Sequence, residues 1–336
     1  MAAQANATVL AGDIGGTKTS LGLYRIDNGK LTLLRDRIYV THEYAGLEAV
    51  IADFLGAESA IDAACFGVPG PVIGGLSHAT NIRWTMEEAS LTRALGVRGV
   101  RLINDLEATA YGMLYLEERE KAVLQRGEPS PTRAPIAIIA AGTGLGESAL
   151  VPVEDGRWRA VASEGGHSDF APRGQEQIEL LEFLAAEFDH VSFERVLSGQ
   201  GLVNIYRFLK ARMQDAEPGW LSEEFARGGD AAAIISEAGL ANRDPRCVRA
   251  LEILAAIYGA EAANLTLKFL ALGGLYLGGG IAPKILPMLT GGDGRFVRAF
   301  LAKGRLAAVL AKIPVRVSLN ESTARLGAAH CAIEML

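Results

Sequence analysis

The stretch Thr8-Val9-Leu10-Ala11-Gly12-Asp13-Ile14-Gly15-Gly16-Thr17-Lys18-Thr19-Ser20-Leu21-Gly22-Leu23-Tyr24 sets a glycine pair between two runs of period-2 hydrophobicity. Val9, Leu10 and Ala11 lead in, and Leu21 and Leu23 share one face beyond it. That pattern reads as strand, tight turn, strand. Glycines permit positive φ and keep Cβ atoms away, so turn amides can face an anion. Thr17 and Lys18 add a hydroxyl and a cation at the tip, and Asp13 is an acceptor suited to a hydrated divalent cation beside a phosphate. An ordinary hairpin turn accounts for Gly-Gly alone; Asp13 and Thr17 beside it favour a phosphate loop. A P-loop is excluded, because Thr17 stands before Lys18 where that motif needs glycine, and a strand rather than a helix follows.

With 336 residues the chain has room for about two domains. Its 49% hydrophobic and 21% charged residues, with 39 glycines, describe a soluble α/β protein. A net charge of −6 gives no global basic field for nucleic acid or an anionic membrane. Cys65, Cys247 and Cys331 lie far apart, without Cys-x-x-Cys or histidines at ligand spacing, so neither a disulfide framework nor a zinc site is indicated. Met1–Thr8 lacks the basic and apolar regions of a secretory leader. The apolar region 265–281 contains Lys268 and five glycines, which argues against a membrane span. A reduced, cytoplasmic protein is the expectation.

Along the chain, strands are expected at Lys30–Val40, Ile61–Val68 and Val100–Ile103, with helices at Leu47–Leu55 and Glu87–Leu95. Pro69-Gly70-Pro71 is a stiff loop, and Val72–Ala79 a further hairpin before Asn81-Ile82-Arg83-Trp84. The strand at Val100 runs straight into Asn104-Asp105-Leu106-Glu107, where a helix opens. Capping explains both residue types there. A carboxylate at the C-terminal edge of a parallel strand is also where open α/β sheets bind ligands. One residue can cap while its neighbour serves the site.

Glu117–Pro135, charged and proline-containing, reads as a surface connection. The opening pattern then returns: strand Ile136–Ala141, turn Ala141-Gly142-Thr143-Gly144-Leu145-Gly146, strand Ser148–Val153. A dinucleotide fingerprint fails because position 147 is Glu147, not glycine, and a strand follows. Two halves that begin alike suggest a duplicated domain with two phosphate-gripping turns. Ser163-Glu164-Gly165-Gly166-His167 places a carboxylate and an imidazole on a glycine-loosened backbone. Ser192 is expected to cap a helix carrying Glu194 in its first turn. Gln175–Phe188 and Pro245–Leu270 are helical, the latter running through a core, with a loop near Pro218–Trp220. The strand Leu275–Ile281 stops on Gly278-Gly279-Gly280, flat backbone with room for a planar ring, before a helix opened by Pro283. Strand Val315–Leu319 and helix Glu321–Glu334 close the chain.

Gly12-Asp13-Ile14-Gly15-Gly16-Thr17, Gly67-Val68-Pro69-Gly70-Pro71, Asn104-Asp105-Leu106, Ala141–Gly146, Ser163–His167 and Gly278-Gly279-Gly280-Ile281 together resemble the bacterial ATP-dependent glucokinases, of the hexokinase branch of the actin-like ATPase superfamily. The ordered set spans nearly the whole chain. The resemblance implies two ribonuclease-H-like α/β domains with a cleft between them: a small one of residues 1–115 plus about 316–336, and a large one of 116–315. It implies a general base at Asp105, sugar contacts at Asn104, Asp105, Glu164, His167 and Glu194, and nucleotide contacts at Gly12, Asp13, Ile14, Gly15, Gly16, Thr17, Gly142, Thr143, Gly144, Gly278, Gly279 and Gly280. It further implies Mg²⁺ accompanying ATP, contacted through water by Asp13, glucose as acceptor, and a homodimer. Lys18 departs from the asparagine many such enzymes carry. Lysine there is common in the related repressor and sugar-kinase family, which usually has zinc-binding cysteines after its Glu-Gly-Gly-His region. This chain has none, so no structural zinc is expected.

The reaction so implied moves the γ-phosphoryl group of ATP to the 6-hydroxyl of glucose. Rivals are a same-fold kinase for another sugar, a sugar-responsive repressor and an actin-like ATPase without a sugar site. A repressor should carry a helix-turn-helix before the first hairpin, where only seven residues stand. ADP or polyphosphate remain open as donors.

Overall fold

β1 (Ala7–Ile14) and β2 (Lys18–Asp27) form the expected antiparallel hairpin, with Ile14 opposite Thr19 at its closed end. The computed structural model describes residues 7–27, 30–56, 61–79, 82–154, 156–213, 216–290 and 294–336. Residues 1–6, on which the reading of the opening segment rests, and Asn81 lie outside them. The chain forms two compact units: Met1–Glu120 with Trp158–Ala162 and Asn320–Leu336, and Lys121–Arg157 with Ser163–Leu319.

In the first unit the chain continues with β3 (Lys30–Val40), β4 (Ala63–Val68), the short strands β5 (Val72–Ile73), β6 (Leu76–His78) and β7 (Thr85–Glu87), and β8 (Val100–Asn104), and β3, β4 and β8 join the hairpin in one sheet. Its order is β3-β2-β1-β4-β8, with β1, β4 and β8 mutually parallel, while β5, β6 and β7 make a separate small sheet. Alternation divides the strand side chains between two cores. Leu10, Leu21 and Phe66 pack with Leu47, Val50 and Phe54 of the helix Leu47–Leu55. Val9, Ala11 and Cys65 pack with Ala108 of the helix Asp105–Met113 and Ala328 of the closing helix Thr323–Ile333. The last two helices touch backbone to backbone, because a Cβ on Gly112 would overlap the Thr323 carbonyl and one on Gly327 the Ala108 carbonyl.

The second unit repeats the plan. β9 (Lys121–Gln125) precedes the hairpin of β10 (Ile136–Ala141) and β11 (Leu145–Pro152); β12 (Trp158–Ser163), of which Trp158–Ala162 belong to the first unit, β13 (Gly274–Gly278) and β14 (Val315–Ser318) follow. The order β11-β10-β13-β14-β9 sets β10, β13 and β14 parallel, as β2-β1-β4-β8 does in the first unit. The long helix Pro245–Phe269 starts on Asp244, which accepts from the Arg246 and Cys247 amides. By length and apolarity alone that helix passes for a membrane span. Its most apolar stretch is 78% buried inside the protein, so it is a core helix.

Four expectations need correction. The connection Glu117–Pro135 contains a 3-10 turn and β9, an edge strand whose charged flanks hide it. β11 begins at Leu145, three residues earlier than its alternation suggests. Ser192 caps no helix: Phe193–Arg195 is a single 3-10 turn, and the helix begins at Gly199 with Ser198 accepting from the Gly201 amide. The segment Pro218–Trp220 opens a helix, Gly219–Ala226.

Replacing glycine by alanine in a helix ordinarily gains up to about 1 kcal/mol. At Gly112 and Gly327 overpacking, at about 1–3 kcal/mol or more, outweighs that gain. Gly112→Ala and Gly327→Ala are expected to lower the urea midpoint of unfolding, while the control Gly96→Ala, at an exposed left-handed helix end, costs only its backbone strain.

Candidate functional site

In the first unit the parallel strands end side by side. Asp13 on β1 pairs with Gly67 on β4, Gly67 with Ile103 on β8, and Val68 with Asn104. A Cβ on Gly67 would press on Ala108 Cβ at 2.8 Å and lie 3.6 Å from Asp105 Cα. Glycine there lets the start of the helix Asp105–Met113 settle onto the strand ends. Asn104 caps this helix through Oδ1, 2.9 Å from the Leu106 amide, and Glu107 returns a bond to the Asn104 amide at 3.0 Å. Its Nδ2 donates to the Gly70 carbonyl at 3.1 Å, which ties the Pro-Gly-Pro loop to the cap. Asp105 is the first helical residue and half-buried, where the helix N-terminus favours a negative charge. Capping and site placement thus fall on neighbouring residues, as the sequence allows.

The Gly15–Lys18 turn closes with a bond from the Gly15 amide to the Lys18 carbonyl at 2.9 Å. Thr41, just past β3, clamps it: its amide donates to the Thr17 carbonyl and its hydroxyl to the Gly15 carbonyl at 2.8 Å. Positive φ is not what the glycines supply at Gly15, Gly142 or Gly144. Gly15 and Gly144 supply close approach, since a Cβ on Gly15 would meet the Lys18 carbonyl at 2.8 Å and one on Gly144 the Glu194 Oε2 at 2.5 Å, whereas a Cβ on Gly142 would meet open space.

Desolvation, then the negative charge of Asp105, push the Asp13 carboxyl up to about 6, against the pull of Arg325. Arg325 is itself buried, donating to Tyr24 Oη, Ser20 Oγ, the Leu21 carbonyl and Asp36. A place that penalises two neighbouring carboxylates is one where a hydrated divalent cation is compensated. Among the described residues no group of three or more His, Cys, Asp or Glu could hold a metal alone. A cation here would therefore need ligands from a nucleotide and water.

In the second unit three glycine segments meet. β10 and β13 end as neighbours, Ala140 beside Gly278. Gly279, at φ +75°, leaves its backbone against Ala141, where a Cβ would overlap the carbonyl. The Gly142 amide donates to the Gly144 carbonyl at 2.8 Å, and the Gly199 amide, at the next helix's start, to the Gly142 carbonyl at 2.9 Å. Glu194 lies over this turn, with Oε2 accepting from the Leu145 amide at 2.8 Å. It is aimed by a bridge between Asp169 and Ser192 and by the Phe193 amide bonding to the Ser168 carbonyl at 2.9 Å. Its Oε1 stands 4.0 Å from His167 Nε2, and Glu164 Oε2 stands 3.8 Å from His167 Nδ1. Gly165 and Gly166 carry this acid–imidazole set directly on β11, because a Cβ on Gly166 would overlap the Leu145 carbonyl.

Asp13, Asn104 and Asp105 are thus assembled in one unit, and the turns at Gly142 and Gly278 with Glu164, His167 and Glu194 in the other. Sequence reasoning missed Thr41, Arg325, Glu147 and Glu261. The last two carry a readable signal: each is an acid within an otherwise apolar strand or helix stretch.

The family model described as Glucokinase matches residues 10–335. A glucokinase of Synechocystis sp. is 39% identical over 349 residues, covering 97% of this chain and 98% of its own. One of Chromobacterium violaceum is 39% identical over 327 residues, covering 96% of this chain and 89% of its own. The crystal structure of a glucokinase from an Antarctic psychrotroph superposes with a TM-score of 0.83 at 28% identity, over 97% of this chain and 99% of that one.

Because the Asp13 carboxyl is raised, the folded protein binds more protons than the unfolded chain between about pH 4 and about pH 6. Stability therefore falls as pH rises through that window, and the penalty is complete above it. Asp13→Asn is expected to raise the melting temperature of the ligand-free protein by a few degrees at neutral pH, about 1–2 kcal/mol after discounting for partial exposure. The gain should shrink towards pH 4, as differential scanning fluorimetry across pH will show.

Proposed function

The chain belongs to the glucokinase family, and we propose that it transfers the γ-phosphoryl group of ATP to the 6-hydroxyl of glucose, giving glucose 6-phosphate and ADP. The observation that carries this reading is the pair of gaps around His167. Separations of 4.0 and 3.8 Å from Glu194 and Glu164 exceed hydrogen-bond length. A hydroxyl seated beside each gap bonds both flanking groups at about 2.8 Å. A neutral polyol offers a hydroxyl on successive carbons, each both donor and acceptor, and acids with an imidazole match it without a fixed cation. The same Glu194 carboxylate holds the glycine turn at Leu145, so hydroxyl binding and the proposed phosphate turn share one side chain.

In this reading the turns at Gly12–Thr17 and Gly142–Gly144 hold phosphates, and Gly278–Gly280 leaves room for adenine. Asp13 would hold the water shell of a Mg²⁺ ion accompanying ATP, which would neutralise charge on the phosphates. Phosphoryl transfer passes through a loose transition state, so the protein chiefly positions and neutralises. Asp105 accepts the proton of the 6-hydroxyl as it attacks. Asn104 offers the sugar its second amide hydrogen, the first being held by Gly70. A cytoplasmic homodimer, without structural zinc, completes the proposal.

A coupled ADP-release assay over a panel of sugars and donors is the direct test. Glucose with MgATP should give the highest kcat/KM; mannose, fructose or N-acetylmannosamine as best acceptor, or ADP or polyphosphate as best donor, would overturn the substrate assignment. Asp105→Ala should cost about 10²–10⁴-fold in kcat while calorimetry still detects glucose binding, because Glu164, His167 and Glu194 remain. Near-normal turnover would remove Asp105 from the role.

A further inference from the structure

Beneath the Glu164–His167 turn lies a second pair of acids that the reaction does not use. Glu147, on β11, is 1% exposed, and Glu261, in the middle of the long helix Pro245–Phe269, is 0% exposed. The two carboxyl groups lie close enough for each to bear on the other's proton affinity. Two ionised carboxylates are both acceptors and cannot bond each other, and Glu147 Oε1 has no donor within reach. A dry contact of that kind requires a proton. The surroundings decide which oxygen carries it. Glu261 takes a bond from Asn264 Nδ2 at 2.6 Å and faces Lys268 Nζ at 3.5 Å, so it is supported as the anion. Glu147 feels the Lys268 charge as well, but no side chain donates a hydrogen bond to its Oε1. Glu147 is therefore the neutral donor and Glu261 the charged acceptor.

The pair touches the proposed sugar-binding turn directly. A Cβ on Gly165 would overlap Glu147 Oε2, and Ser163 Oγ donates to the Glu147 carbonyl at 3.0 Å. Gly165 thus rests on the Glu147 carboxyl, between Glu164 and the His167 it leads to. We propose that Glu147 and Glu261 form a proton-sharing carboxyl pair that supports the Gly165–His167 turn from below and so positions Glu164 and His167 for the acceptor sugar. They are positioning residues, and the proposal rests on the sugar-binding role given to that turn above.

The charges facing the pair are few. From the long helix come Lys268 and the neutral Asn264. Lys303 bonds Asn264 Oδ1, and its charge reaches Glu261 and is itself met by that of Arg173. From the turn come Glu164 and His167, both pointing to solvent with 74% and 63% of their side chains exposed. β10 presents the apolar Ile139 opposite Glu147. Burial, then the second carboxyl, push the Glu147 carboxyl up to about 8. Loss of the shared proton would put two negative charges under one glycine turn, and the turn must lift to admit water.

The test compares the pH profiles of wild type and Glu147→Gln in the glucose assay from about pH 7 to about pH 9. Glutamine keeps the shape and the donor to Glu261 but has no proton to lose. Wild-type KM for glucose should rise several-fold across the range with kcat little changed, and the Glu147→Gln enzyme should hold a flat KM. A Glu147→Gln profile that follows wild type, or a wild-type KM that stays flat, overturns the proposal. His167→Ala separates the two readings: it should raise KM for glucose at every pH. If it leaves KM unchanged, the sugar-binding role of the turn falls; if it raises KM while Glu147→Gln tracks wild type, only the positioning role falls. Glu261→Gln gives the second check, since it also removes the second ionisation and should flatten the profile while the melting temperature reports folding.

Discussion

Close approach at the ends of sheet strands, where a Cβ would find no room, is the constraint from which the rest of this structure follows. Gly67 lets the helix that begins with Asp105 sit on β4, Gly279 lies against Ala141, and Gly166 lies against Leu145. Each contact leaves no room for a Cβ, and each brings a polar segment to a sheet edge. The glycines therefore act through absence of bulk more than through unusual φ. Only Gly279 of these combines both. With that constraint met, ordinary devices do the remaining work: Asn104 caps, Thr41 clamps a turn, and Glu194 bonds an amide.

Two carboxylate pairs in the molecule face the same electrostatic problem and reach different solutions. Like charges about 4 Å apart repel by about 4 kcal/mol at the effective dielectric of a partly buried site. Asp13 and Asp105 stand at a strand edge, half-buried, with Arg325 behind them as a partial counter-charge. A hydrated cation can reach that place. Glu147 and Glu261 are sealed from solvent, and no hydrated ion reaches them. The Lys268 ammonium bonds Glu261, and a proton is left to hold the other carboxyl, so the interior pair shares one. Placement relative to water separates a pair fit for a metal–nucleotide from a pair fit to support a loop.

Much of the plan was legible because it is local. The strand Lys30–Val40 and the helix Leu47–Leu55 follow from periodicity alone, and both hairpins from alternation around glycines. The misreadings came from non-local contacts. Ser192 has the residue type of a helix cap, yet it pairs with Asp169, and the cap passes to Ser198. Strand β9 is an edge whose partner, β14, lies almost at the far end of the chain. Among the candidate site residues, the grouping of the Gly142 turn with Gly278–Gly280 needed the β10–β13 pairing. No spacing rule in a single sequence reports such a pairing. Glu147 and Glu261 are each visible as an acid in an apolar run, but that they meet is a tertiary fact.

Glu194 shows why a single side chain can matter more than its neighbours. Its Oε2 bond to the Leu145 amide is charge-assisted, a class that contributes about 1.5–3 kcal/mol. Its Oε1 faces the imidazole across a gap that a hydroxyl can close. Filling that gap restrains the carboxylate, and the restrained carboxylate fixes the amide at the end of the glycine turn. Under the proposed function, binding energy gained at a sugar hydroxyl remote from the transferred group would thereby be available to order the turn. Interactions of that kind raise turnover rather than affinity when the order is needed only as transfer occurs. If the proposed roles hold, a carboxylate joined to both partners is the shortest route by which recognition of an acceptor would be felt at a phosphate, and it would span a single residue.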